Sequence, residues 1–372
     1  MFQVSCLLLI NTNQIIQVQA STPNPGPRAG HQMVYDAGSK EIVLFGGIVE
    51  DGDHTPLPNI WRYNFVNQQW RKITPEVSPS PRFNHKMVYI PLNHTVLLYG
   101  GLNTTNHVWL GDTWLYNLQT NEWINKNPGV SPPKCSDTGL IYDSHTHRVL
   151  LFGGFLNSIR YNKLYEYNIN LNNWTEVSDL NTPSARYGHS LIYNNMDNMT
   201  YLFGGRTSVY KRDLWKYNQS SFNWSQISSV TTPPIRYWHD MTYVNDLNVG
   251  FLFGGRNAEV LDDTWFFNFD SSDWVNPTPE HSPSPRLLFS MIYNSNDKRV
   301  YLYGGMGESS ARNYDDFWSF DFTSNRWEQI QGIPDILQFF IDYWWSFALI
   351  AIVGVGSFIG LRYRKNKRND KK

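Results

Sequence analysis

The sequence predicts an all-β protein built from six similar sheets, and three observations carry that reading. A short apolar run that ends in an aromatic residue and two glycines, first seen as Ile42-Val43-Leu44-Phe45-Gly46-Gly47, recurs along the chain. It returns at Tyr99-Gly100-Gly101, Phe152-Gly153-Gly154, Phe203-Gly204-Gly205, Phe253-Gly254-Gly255 and Tyr303-Gly304-Gly305. The first glycines of successive pairs lie 54, 53, 51, 50 and 50 residues apart, and such a period marks a repeat architecture. Aromatic residues make up 16% of the chain, including 15 tryptophans and 22 tyrosines, which suits packed sheets. Each run reads as a buried strand, and its glycine pair permits positive φ and close backbone approach. One such strand cannot cover both of its faces, so six copies imply six sheets that pack on one another.

Composition narrows the function classes. The net charge of −1 over 372 residues gives no electrostatic case for nucleic acid. There are two cysteines, Cys6 and Cys135, so a disulfide framework is excluded and stability must come from apolar packing.

In chain order, residues 1–20 hold an apolar core from Val4 to Ile10 and close on Val18-Gln19-Ala20, a small-residue ending that a signal peptidase could cut. We read an export signal there; the alternatives are an N-terminal strand or a misassigned start. Residues 21–27 are rich in proline and glycine and form a linker. The first repeat starts at Arg28, continues through His31, Tyr35 and Gly46-Gly47, and ends with Trp61 and Trp70. The second gives Arg82, His85, Tyr89, Asp112, Trp114 and Trp123; the fourth gives Arg186, His189, Tyr193, Asp213, Trp215 and Trp224; the fifth gives Arg236, His239, Tyr243, Asp263, Trp265 and Trp274. Each repeat reads as four strands of period two. The third and sixth copies drift. Cys135 and Thr138 take the Arg and His positions of the third, and Tyr165 replaces its first tryptophan; in the sixth, Phe289 takes the His position.

This pattern resembles the kelch repeat, within the galactose oxidase/kelch superfamily, over about Arg28 to Ile330. The resemblance implies a six-bladed kelch β-propeller over residues 28–331, each repeat being one four-stranded blade around a central channel. A WD-type propeller has a shorter period, roughly 40–45 residues, and its Trp-Asp ending is missing here. Some kelch propellers close the ring by lending a strand from one terminus, a question the sequence leaves open.

Residues 332–342 form a juxtamembrane linker. From Tyr343 to Leu361 the chain carries no charge, and the 1.5 Å rise of a helix makes this roughly 28 Å, enough to cross a bilayer core. Tyr343, Trp344 and Trp345 stand at one edge, and the basic tail 362–372 follows. The expectation is a single C-terminal transmembrane helix with a cytoplasmic tail and an extracellular or luminal propeller. Asn93, Asn103, Asn173, Asn198, Asn218 and Asn223 each begin an Asn-X-Ser/Thr triplet and are possible glycan acceptors in an exported chain.

Function must lie where the repeat symmetry breaks, because residues that recur in every blade are explained by the blade. The glycines, first-strand tyrosines and tryptophans are assigned to packing on this test, with Trp215→Ala expected to cost roughly 3–5 kcal/mol as a buried aromatic. His31, His85, His189 and His239 recur in four blades and read as hydrogen-bonded structural histidines rather than as metal ligands. Copper oxidases of the galactose oxidase type need a tyrosine-linked cysteine whose context is missing here. In the iron motif of plant kelch specifier proteins, Glu259 and Asp263 fit, but Phe267 stands where histidine is required. No Gly-X-Ser-X-Gly motif or phosphate loop occurs, so we expect no catalytic residue, metal or cofactor.

The loops after each glycine pair vary: 48–58, 102–111, 155–162, 206–212, 256–262 and 306–315. The resemblance to kelch substrate adaptors implies that these loops bind the ligand, with Arg206 and Arg256 placed to grip acidic groups and Trp109, Arg160, Tyr210 and Arg312 in corresponding loops. The reading is a membrane-anchored recognition module for a protein or glycan outside the cell. The competing class is an exported sugar-oxidising or sugar-modifying kelch enzyme.

Overall fold

The computed structural model describes residues 23–49, 54–308 and 313–331, and these form six four-stranded antiparallel sheets. In every sheet the strands lie in chain order, as in the fourth: Ser190–Asn194, Met199–Phe203, Leu214–Asn218 and Asn223–Ile227. The first strands are Gln32–Asp36, Lys86–Ile90, Gly139–Asp143, Ser190–Asn194, Asp240–Val244 and Ser290–Asn294. Each packs beside the next, and the last packs beside the first, so the six sheets are blades around a closed channel. The expected six-bladed propeller is therefore observed. Chain direction defines two faces. Glycine-pair loops and blade-to-blade connections lie on one, the mouth face; the tight hairpin turns lie on the other, the back face.

Among the described residues each blade draws its four strands from its own repeat, with a short two-stranded hairpin inserted after the glycine pair in the first three blades, and hydrogen bonds join the first blade to the sixth. The amide of Arg28 donates to Tyr314 O at 3.2 Å, and Gly305 N donates to Arg28 O at 2.9 Å. Trp70 of the first blade packs edge-on against Tyr303 of the sixth, with centroids 5.4 Å apart.

The glycine pairs are joints between blades. Gly205 has φ +93°, and a Cβ there would meet His189 Cβ at 2.8 Å and Tyr187 O at 3.0 Å. Its amide donates to Arg236 O in the next blade at 2.9 Å. Only glycine combines that conformation with that closeness.

The recurring arginine is buried and clamps its own blade. Arg186 Nη1 donates to Gly204 O at 2.8 Å, and the guanidinium takes both Asp213 oxygens at 2.7 and 2.8 Å. Asp213 Oδ2 also accepts Trp215 Nε1–H at 2.7 Å. The same triad joins Arg82, Asp112 and Trp114; Arg236, Asp263 and Trp265; and Arg286, Asp316 and Trp318. Two blades depart from it. Arg28 meets Gly46 O at 2.8 Å and Pro25 O, with Asn59 at the aspartate position, and burial pulls its pKa down to about 10. In the third blade Cys135 replaces the arginine and Lys163 the aspartate, so both charges of the clamp change together. An aspartate left alone there would be an uncompensated, largely buried charge.

Two assignments to packing need correction. Trp215 and Trp265 are half-buried, because their indoles cover the Arg–Asp pair at the blade rim. The fully enclosed tryptophans lie on the outermost strands: Trp174 at 0%, Trp224 at 1% and Trp327 at 1% exposure. The first-strand tyrosines are also half-buried, and several tie hairpins together on the back face, as Tyr89 OH does by donating to Asp36 Oδ1 at 2.7 Å.

The histidines are structural, as expected, and their rings pack against neighbouring aromatics. His31, His85, His189 and His239 are buried; no side-chain partner meets their ring nitrogens among the described residues, while hydrogen bonding to the backbone of Tyr303, Phe152 and Phe203 works against burial at His31, His189 and His239. Each ring stands edge-on to an aromatic of the preceding blade, as His189 does to Phe152 at 5.6 Å. Phe289 repeats that contact against Phe253 at 5.6 Å. The position therefore asks for a flat ring, and burial pushes the histidine pKa values well below 6.5.

Among the described residues the only helical segments are the short 3-10 turns Pro91–Asn93 and Asn245–Leu247, and no helix is long and apolar enough to cross a membrane. Residues 1–22 and 332–372, with the expected signal, linker, membrane span and basic tail, lie outside the described residues.

Candidate recognition site at the channel mouth

The mouth is framed by one residue from each blade, just ahead of the histidine position. Gly30, Asn84, Asp137, Gly188, Trp238 and Leu288 all have φ between 52° and 66°. Their amides donate around a closed circle: Gly30 to Leu288 O at 2.7 Å, Asn84 to Gly30 at 2.7 Å, Asp137 to Asn84 at 2.9 Å, Gly188 to Asp137 at 2.9 Å, Trp238 to Gly188 at 2.8 Å and Leu288 to Trp238 at 3.2 Å. Trp238 and Leu288 are bulky residues in a left-handed conformation, which costs roughly 1–2 kcal/mol each. The closed circle of bonds holds them there.

The preceding position carries Ala29, Phe83, Ser136, Tyr187, Tyr237 and Leu287. On the mouth face each pairs with the residue that follows the glycine pair of its own blade, as Tyr187 does with Arg206 and Tyr237 with Arg256. Two tyrosines in neighbouring blades break the symmetry, and arginines gather on them. Arg160 lies 5.7 Å from the Tyr187 ring centre; Arg206 lies 5.3 Å from Tyr210 and 5.5 Å from Tyr237. Tyr210 stacks on Tyr237 at 5.2 Å, and Tyr237 on Trp238 at 4.2 Å. Trp238 Nε1–H then donates to Asp137 Oδ1 at 2.7 Å, across from blade 5 to blade 3.

Neither Arg160 nor Arg206 pairs with a carboxylate among the described residues. Arg160 reaches only Ser158 O, at 3.5 Å. Burial works against the Arg206 charge, but Tyr187, Tyr237 and Tyr210 outweigh it and raise its pKa. Cation–π contact orients both guanidiniums while leaving their N–H edges without an anionic partner. Below them sits a well of about 40 Å³, lined in part by Lys86, Asp137, His189 and Trp238. Burial raises the Asp137 pKa against the pull of Ser136, Trp238 and Lys86.

The structure thus joins three of the six expected loop residues, Arg160, Arg206 and Tyr210. Arg256 is spent on Glu308, 3.7 Å away. Trp109 is half-buried in the second blade's loop hairpin and makes no ring or cation contact with this group. Arg312 lies outside the described residues. Sequence reasoning missed Tyr187, Tyr237, Trp238 and Asp137. The symmetry test would have found them if applied to the two residues between the arginine and histidine positions. Among the described residues no group of three His, Cys, Asp or Glu side chains could hold a metal ion.

Comparison with known proteins agrees with the fold. The family model described as the KLHDC2/KLHL20/DRC7 Kelch-repeats domain matches residues 2–195, 53–246 and 194–338. Multiple epidermal growth factor-like domains protein 8 of Mus musculus is 29% identical over 191 residues, covering 48% of this chain and 6% of the relative. Tip elongation aberrant protein 1 of Schizosaccharomyces pombe is 28% identical over 188 residues, covering 48% of this chain and 16% of the relative. Kelch domain-containing protein 2 of Bos taurus is 30% identical over 155 residues, covering 41% and 36%. The chain spans well under half the length of each of these relatives.

Proposed function

Because the chain belongs to the KLHDC2/KLHL20/DRC7 kelch-repeats domain family, we propose that it is a recognition module whose mouth face takes an acidic segment of a partner protein. The observation that carries this is the pair of carboxylate-free arginines, Arg160 and Arg206, oriented on Tyr187, Tyr210 and Tyr237. Arginine, tyrosine and tryptophan are the residues that concentrate binding energy at interfaces. A guanidinium takes a carboxylate in two parallel bonds, so acidic side chains fit it better than neutral ones. A neutral glycan fits less well. It would stack on open ring faces, whereas Tyr187 and Tyr237 are only 7% and 4% exposed.

The module is exported and anchored by residues 343–361, with the basic tail 362–372 in the cytoplasm. Support comes from the uncharged span and from the seven basic residues among the eleven that follow it. The last strand of the sixth blade, Arg326–Gln331, runs toward the mouth face. The eleven residues 332–342 therefore tether that face within about 40 Å of the bilayer, the limit of an extended chain. Partners on the same membrane are favoured by this geometry.

The test uses the full chain in detergent on arrays of Glu-rich, Lys-rich and neutral peptides and of neutral and sialylated glycans. Expected is binding of Glu-rich peptides that Arg160→Ala and Arg206→Ala both weaken. Binding to glycans alone, or acidic binding unchanged by both substitutions, would overturn the reading. For orientation, protease added to intact cells should digest the propeller and spare a tail epitope.

A further inference from the structure

We propose that Asn93 and Asn198, alone among the six triplets, carry N-linked glycans, and that these decorate the back face and leave the mouth bare. This rests on the export reading. The transferred group is an oligosaccharide supplied on a lipid diphosphate. The bond from its anomeric carbon to the diphosphate oxygen breaks, a bond from that carbon to asparagine Nδ2 forms, an amide proton is lost to base, and the lipid diphosphate leaves. The folded product must then hold a branched sugar at Nδ2 without displacing protein.

The two chosen positions meet that demand. Asn93 ends the short turn Pro91–Asn93 between the first and second strands of blade 2, and it is exposed together with Leu92 and His94. Its Oδ1 accepts Thr95 Oγ1–H at 2.6 Å. Asn198 occupies the equivalent turn of blade 4, just ahead of the strand Met199–Phe203, and is exposed with Asn195, Met196 and Asp197. Its Oδ1 accepts Tyr193 OH at 3.1 Å. Each carboxamide is thus steadied through its oxygen, with the nitrogen on the solvent side of a hairpin tip.

The other four are each obstructed. Asn103 is only 6% exposed, and its loop hairpin lies on the mouth face. Asn173 is half-buried, stands in register with Asn168 and precedes the enclosed Trp174. Asn218 and Asn223 stand opposite one another in the sheet, so a glycan on either crowds the other. Both are half-buried and lie within paired strands rather than at an exposed hairpin tip.

The experiment expresses the full chain in secretory cells and follows its gel mobility before and after peptide N-glycosidase. Protease accessibility on intact cells is measured in parallel, and acceptor sites are read by mass spectrometry. Expected are two glycans, one lost in Asn93→Gln, one in Asn198→Gln and both in the double variant. Acidic-peptide binding by the deglycosylated protein should be unchanged. A glycan surviving in the double variant overturns the site assignment. A propeller that is protease-accessible yet unglycosylated also overturns it while leaving export intact. A protected, unglycosylated propeller overturns both.

Discussion

Arg186 and Arg206 stand twenty residues apart in the same blade and do opposite things. Arg186 is fully buried, gives its hydrogen bonds to Asp213 and Gly204, and repeats in four other blades. Arg206 lies on two tyrosine rings, has no carboxylate partner among the described residues, and shares its position with one other arginine, the Glu308-bound Arg256. An arginine that recurs with its aspartate is architecture. An arginine that departs from the repeat, on tyrosines that also depart from it, is what remains available for a partner. The same chain chemistry serves both roles, and pairing decides which.

Five substitutions in this blade would sharpen or break that contrast. Arg186→Ala strands the Asp213 carboxylate and should cost about 3–5 kcal/mol, as removing one member of a buried pair does. A denaturant midpoint equal to the parent's would show that the clamp is not structural. Trp224→Ala should cost a similar 3–5 kcal/mol as a large-to-small change in an enclosed site. Trp215→Ala should cost less, about 1–2 kcal/mol, because its indole is half-buried. Equal losses for the two would contradict the burial difference.

His189 gives a pH test. Its folded pKa lies well below the ordinary 6.5, so the unfolded chain binds the proton more readily. The stability it contributes is complete above 6.5 and is lost as pH falls from there toward the depressed value. The slope is at most about 1.4 kcal/mol per pH unit for each such histidine. His189→Phe installs the ring that the sixth blade already carries at Phe289. It should remove one histidine's share of that slope in unfolding curves taken between pH 4 and 7 (about three units of range). An unchanged slope would mean the ring protonates while folded.

Arg206→Ala has the smallest expected effect on stability, within about 0.5 kcal/mol. Its effect on acidic-peptide affinity should be much larger, about 30-fold, in line with a loss of about 2 kcal/mol at an interface hot spot. If stability fell and affinity held, Arg206 would belong with Arg186 and the contrast would fail.

Much of this was legible without coordinates. The glycine pairs and their period announced six sheets, because a strand with two apolar faces needs neighbours and only glycine takes the backbone turn at Gly205. The drift at Cys135 was visible as well, but the matching loss of the aspartate at Lys163 emerged only with the structure. The two positions are tied because Gly204 O and Asp213 converge on one guanidinium in the fourth blade.

What the sequence determined by itself was the repeat: strand count, blade number and the identity of the joints, all written in local residue patterns. What only the tertiary structure decided was which exceptions touch. Arg160, Tyr187, Arg206, Tyr237 and Asp137 come from three blades, and Trp238 meets Asp137 across a separation of 101 residues. Closure of the ring brings them together, through inner strands and a circle of amide bonds that have no short-range signature. The histidines make the same point from the other side. Their recurrence was plain, but their role as neutral rings follows from burial against the preceding blade, and burial belongs to the assembled core rather than to any one repeat.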